Sequence, residues 1–124
     1  MSKAHEDRHP FLDDLTEDAE LVSSVLRGPV VGRADIRRVV DAVGSLYVEQ
    51  TPTFLGAFGS RTLLEYQARL VSGERLEASV VIDHNPDGSV PRVSVRMSCV
   101  DAVVALAAHL KSALSGSMPE ELFL

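Results

Sequence analysis

The sequence predicts an α+β domain in which one amphipathic helix precedes four consecutive strands and a second helix follows them. Three observations carry that prediction. The hydrophobic period changes from three or four residues to two near Glu49. Turn signals at Gly59-Ser60, Ser72-Gly73 and Asn85-Pro86-Asp87-Gly88 separate the alternating segments. Helical spacing then returns after Cys99. Strands joined by such short turns pair as an antiparallel meander, with helices covering one face.

Taken in order, residues 1–10 read as a polar arm ending at His9-Pro10, and residues 11–115 as a single domain. A short helical turn is expected from Phe11 to Leu15 and a first strand from Glu20 to Leu26, stopped by Arg27-Gly28-Pro29. Gly32-Arg33-Ala34-Asp35 opens the clearest helix, which ends near Tyr47. Ile36, Val39, Val40, Val43 and Leu46 share one side of it, and Arg37, Arg38 and Asp41 share the other. Thr51 to Phe58 begins the strands. Arg61 to Val71 sets Leu64, Tyr66, Ala68 and Leu70 opposite Glu65, Gln67 and Arg69. Leu76 to Asp83 sets Ala78, Val80 and Ile82 opposite Glu77, Ser79 and Asp83. Val90 to Ser98 sets Val93, Val95 and Met97 opposite Arg92, Ser94, Arg96 and Ser98. The last helix, from about Val100 to Leu114, carries a stripe of Val103, Val104, Leu106, Ala107 and Leu110. Residues 116–124 read as a tail with apolar Leu122-Phe123-Leu124.

Composition narrows the partners. A chain of 124 residues with 45% hydrophobic residues can bury a core without disulfides or metals. Its net charge of −6 argues against nucleic acid, which basic surfaces bind. The single cysteine, Cys99, forbids an internal disulfide and is expected to be a small buried thiol beside Val100. No apolar run approaches a membrane span, and the polar N-terminus lacks a signal-peptide core, so a cytoplasmic location is expected.

The segment Leu26-Arg27-Gly28-Pro29-Val30-Val31-Gly32-Arg33-Ala34-Asp35-Ile36, and the order of elements around it, resemble the nuclear-transport-factor-2-like superfamily with its SnoaL-like cone. Gly32-Arg33 stands where members have Gly-Arg before the helix, and Asp87-Gly88 where they have the last hairpin. The resemblance implies a strongly curved, mostly antiparallel sheet wrapped around helices, a cystatin-like cone with a pocket inside. It also implies a homodimer formed through the sheet. The helical region before the first strand is shorter than the family's usual pair. The pocket is therefore expected to be shallower, or closed by the tail or by a second subunit.

Such a pocket would take an apolar small molecule, with Tyr47, Phe54, Phe58, Tyr66, Val80, Ile82, Val95 and Met97 as its expected lining. Superfamily members include isomerases, cyclases and hydrolases of carbonyl or epoxide compounds as well as non-catalytic domains. None of their catalytic patterns matches here residue by residue, and no cofactor or metal is implied. Glu65, Arg69, Glu77, Asp83, Arg92 and Arg96 share the polar sheet face and read as cross-strand ion pairs rather than an acid–base cluster. His5 and His9 lack an evident third ligand, His84 sits at a turn, and His109 lies near a helix end. Two functions remain open: a pocket for an apolar ligand, with or without catalysis, and a dimeric accessory module that associates through its sheet or tail.

Overall fold

The alternating segments of residues 47–98 form the long strands of a six-stranded sheet. The computed structural model describes residues 10–124. Residues 1–9, with His5, His9 and most of the expected polar arm, lie outside the described residues. A 3-10 turn at Pro10–Asp14 leads into β1 (Leu15–Ser23), followed by the two-residue β2 (Val30–Val31) and helix α1 (Arg33–Leu46). Strands β3 (Tyr47–Phe58), β4 (Arg61–Leu70), β5 (Arg75–Asp83) and β6 (Val90–Ser98) follow, then helix α2 (Val100–Ala113) and a short 3-10 turn at Glu120–Leu122.

The meander β3–β4–β5–β6 is antiparallel throughout, as its tight turns require. β1 then lies beside β6 in parallel, so the sheet is mixed and its order is β2-β1-β6-β5-β4-β3. This first strand starts and ends earlier than the expected Glu20 to Leu26. Leu15, Ala19 and Leu21 are its buried positions, and the acidic residues between them mask the alternation.

Helix α1 begins where Gly32 adopts a φ of 108°, a conformation open to glycine and strained for other residues. There the Gly32 N–H donates to the Ala19 carbonyl at 2.9 Å while its own carbonyl accepts from Ile36. Ile36, Val39 and Val40 are buried, and Val43 and Leu46 pack against the same core. In α2 the buried stripe is Ala102, Val103, Leu106, Ala107 and Leu110. Val104, expected in that stripe, is instead 55% exposed, because the helix presents only a narrow face to β5, β6 and α1. Each fully buried aliphatic side chain of this core contributes about 1.5–3 kcal/mol.

Two further expectations change. Cys99 is exposed, placed at the start of α2 rather than beneath it. Residues 116–124 do not stand off as an associating tail: Phe123 is 1% exposed and is the largest of the fully buried side chains. Backbone bonds hold it there. Arg27 N donates to Leu122 O at 2.8 Å, and Leu124 N donates to Val25 O at 3.0 Å. The Arg27 side chain adds a bond to Phe123 O at 3.1 Å.

Candidate functional site

The site begins with irregularities in β3. Tyr47 pairs with Leu70 and Gln50 with Ala68, so both point to the helix-covered face although three residues separate them. A bulge between Tyr47 and Glu49 makes that possible. It also turns Glu49 outward, where Arg69 meets it at 3.2 Å. A second irregularity between Pro52 and Phe54 puts Phe54 beside Glu65 and Phe58 beside Arg61, on the outer face.

Between the inner face of the sheet and α1 lies a cavity of about 50 Å³. A water needs about 10–15 Å³ on this measure, so a few waters or one small ring fill it. Val39, Val40 and Val43 of α1 form one wall. Leu64, Val80, Val95 and Met97 of the sheet form the opposite wall. Phe11, Leu21 and Val25 close the end nearest β1. Among the described residues, Tyr66, Gln50 and Ser23 supply its polar groups.

Tyr66 and Tyr47 are both buried, with their hydroxyl oxygens 2.8 Å apart and their rings edge to face at 5.8 Å. A pair of hydroxyls holds two protons but uses one between them. Tyr66 lines the cavity and Tyr47 does not. With Tyr47 donating to Tyr66, the Tyr66 proton is free to donate to a guest, and the chained bonds strengthen each other. Burial raises both phenols above their ordinary value, and the neighbouring Tyr66 pushes Tyr47 up further. The bond from Tyr47 works the other way on Tyr66, favouring its ionised form. Gln50 contributes an Oε1 that is buried with no hydrogen-bond partner.

Of the residues expected to line a pocket, Tyr66, Val80, Val95 and Met97 face this cavity, and Tyr47 reaches it through Tyr66. Ile82 is buried in the core but does not line it. Phe54 and Phe58 lie outside it, 50% and 59% exposed. Sequence reading missed Gln50, Ser23 and the helix valines as lining. Gln50 was beyond reach because a bulge, which leaves no mark in hydrophobic alternation, decides its face.

Other polar clusters lie elsewhere. Arg61 Nε meets Asp83 Oδ1 at 3.0 Å, and Ser79 donates to Glu65 at 2.9 Å, both on the outer face. His84 Nε2 is 3.0 Å from Thr62 Oγ1. Ser72 donates to Glu74 while His109 Nε2 lies 2.8 Å from the same hydroxyl. A nucleophilic serine gives its proton to histidine, but here the carboxylate takes it. This surface cluster ties the β4–β5 turn to α2. The bond from Ser72 holds the Glu74 carboxyl below its ordinary value. Among the described residues no group of three or more His, Cys, Asp or Glu could hold a metal ion, and no helix is long and apolar enough to cross a membrane.

No family model and no curated protein matches the sequence. Solved structures do resemble the fold. An uncharacterised protein with a cystatin-like fold from Silicibacter pomeroyi DSS-3 is 20% identical, with a TM-score of 0.81 over 92% of this chain and 80% of that one. A steroid delta-isomerase from Pseudomonas aeruginosa is also 20% identical at a TM-score of 0.81, over 92% and 84%. An NTF-2 like protein of unknown function from Burkholderia xenovorans LB400 is 15% identical, with a TM-score of 0.63 over 78% and 74%. The fold is therefore an α+β cone of the kind seen in these cystatin-like and NTF2-like structures. At these identities the likeness is one of fold.

Proposed function

We propose that the cone binds a small, neutral, largely apolar molecule through a hydrogen-bond acceptor that takes the free proton of Tyr66. The observation that carries this reading is that Tyr66, on the wall of an apolar cavity, has its hydroxyl 2.8 Å from that of buried Tyr47. Apolar walls with a few placed polar groups are the usual make-up of ligand sites. An isomerase working by proton abstraction needs a carboxylate base facing its substrate. Here the polar groups at the cavity are phenol, amide and alcohol, none of which titrates near neutral pH. Fold likeness to a steroid delta-isomerase does not supply that base. A cavity of about 50 Å³ also favours a small ring or the head of a longer molecule. Recognition is accordingly the better-supported role than proton-transfer catalysis.

The chain offers a direct readout. It has two tyrosines and no tryptophan, so intrinsic fluorescence reports on this pair alone. Titration with cyclopentanone is expected to change that fluorescence saturably and raise the melting temperature. Tyr66→Phe is expected to weaken binding about two- to tenfold, the usual worth of one neutral hydrogen bond. If cyclopentanone and larger cyclic ketones leave both signals unmoved in the folded protein, the pocket reading fails.

A second reading concerns assembly, and the outer sheet face supports it. Phe54 and Phe58 are exposed there, Leu63 and Val81 lie in the row between Phe54–Glu65 and Phe58–Arg61–Asp83, and among the described residues no helix covers the face. Glu65, Asp83, Arg92 and Arg96 give that face both signs of charge, which suits a two-fold pairing of identical surfaces. The expected partner is a second copy of the chain. Sedimentation is expected to find a dimer, and Phe54→Ser with Phe58→Ser to yield folded monomers. A wild-type monomer at high concentration would remove this reading.

A further inference from the structure

The cavity carries an acceptor that the tyrosine pair does not satisfy. Gln50 Oε1 is buried without a partner, whereas buried acceptors in folded proteins are rarely left so. Gln50 sits opposite Ala68, one inward position along β4 from Tyr66. Diagonal neighbours of this kind lie about 7–8 Å apart with their Cβ atoms somewhat closer, within reach of a shared guest for two long side chains. Two neighbouring lining residues thus differ in what they seek, Tyr66 having a proton to give and Gln50 an acceptor to fill.

Resting on the pocket reading above, we infer that Gln50 selects ligands whose polar head both donates and accepts a hydrogen bond, of which a small lactam or amide is the simplest class. The ligand N–H donates to Gln50 Oε1 and its carbonyl accepts from Tyr66. A plain ketone of the same shape satisfies Tyr66 and leaves Gln50 buried and unpaired, an asymmetry that costs affinity. A carboxylate can accept from Tyr66 but fails the other requirement. It has no proton for Gln50, and its charge would lie among Val39, Val80 and Val95 with no cation lining the cavity among the described residues. Gln50 is therefore the specificity-determining residue, and Tyr66 provides affinity common to both classes.

Cyclopentanone and 2-pyrrolidinone differ by a ring CH₂ exchanged for N–H, and they form the test. Their affinities are measured by tyrosine fluorescence on the wild type and on Gln50→Met, which keeps the side chain's length. The ratio of the two affinities within each protein, compared across proteins, cancels the lactam's greater cost of leaving water. The preference for lactam over ketone is expected to fall about tenfold or more on Gln50→Met, with ketone binding unchanged or tightened. Gln50→Met is also expected to raise the melting temperature, because it removes an unpaired buried acceptor. An unchanged ratio, with the ketone still bound, overturns the role of Gln50 and leaves the pocket standing. A fall in melting temperature for the unliganded variant also overturns it, since Oε1 would then have a partner in the protein. If neither compound binds the wild type, the pocket reading and this inference fall together.

Discussion

Phe123→Ala is expected to lower the unfolding free energy by about 3–5 kcal/mol, the cost of truncating a fully buried phenylalanine. Domains of this size are commonly stable by about 5–15 kcal/mol, so the loss is a large share of the total. The side chain is 1% exposed, and its neighbours in sequence bond to Val25 and Arg27. Val25 also lines the cavity, so loosening the tail should widen the cavity's β1 end as well as weaken the fold. Urea unfolding of Phe123→Ala beside Leu124→Ala separates burial from mere tail length. Leu124 is 43% exposed, and its change should be much the smaller of the two. Equal small effects from both would mean that Phe123 is not part of the core.

The second large effect is alkaline. Burial raises both tyrosines in the folded protein, so the unfolded chain ionises first, near pH 10. Between that pH and the higher folded values the native state holds more protons than the unfolded one. Stability is thus fully present below about pH 10 and lost as pH rises through the folded values. The slope approaches about 1.4 kcal/mol per pH unit for each tyrosine, or about twice that for the pair. Ultraviolet absorbance should show phenolate appearing together with unfolding, without a separate titration near pH 10. The double variant Tyr47→Phe with Tyr66→Phe should flatten the dependence. Free titration of both phenols near pH 10 in the folded protein would contradict their burial.

Much of the cone is legible in residue order because alternation and turn chemistry are local. β6 is read to the residue, and period two alone divides β4, β5 and β6 into two faces, while apolar Leu63, Val71 and Val81 keep it from saying which face turns inward. Partners distant in sequence are harder. The parallel pairing of β1 with β6 leaves no signal at either strand, and the acidic residues of Leu15–Ser23 disguise the strand itself. β2 has two residues, too few for any periodicity. The candidate site divides along the same line. Tyr66, Val80, Val95 and Met97 belong to regular strands and are readable. Phe54, Phe58 and Gln50 follow the bulges of β3, so their faces are set by backbone irregularity rather than by hydrophobic pattern.

The bond from Arg27 to the Phe123 carbonyl spans 96 residues. Ribosomes add about 5–20 residues per second, so about 5–20 s of synthesis separate those two residues. Throughout that interval the hairpins of β3 to β6 can form as they emerge, since each joins neighbours in the chain. β1 has only the two-residue β2 as such a neighbour and must wait for β6 to be paired along its length, and the core beneath Val25 waits longer still for Phe123. Nascent chains stalled before Phe123 emerges should therefore expose apolar surface around Val25 that the folded domain hides. The order of manufacture makes the earliest strand the last to be secured.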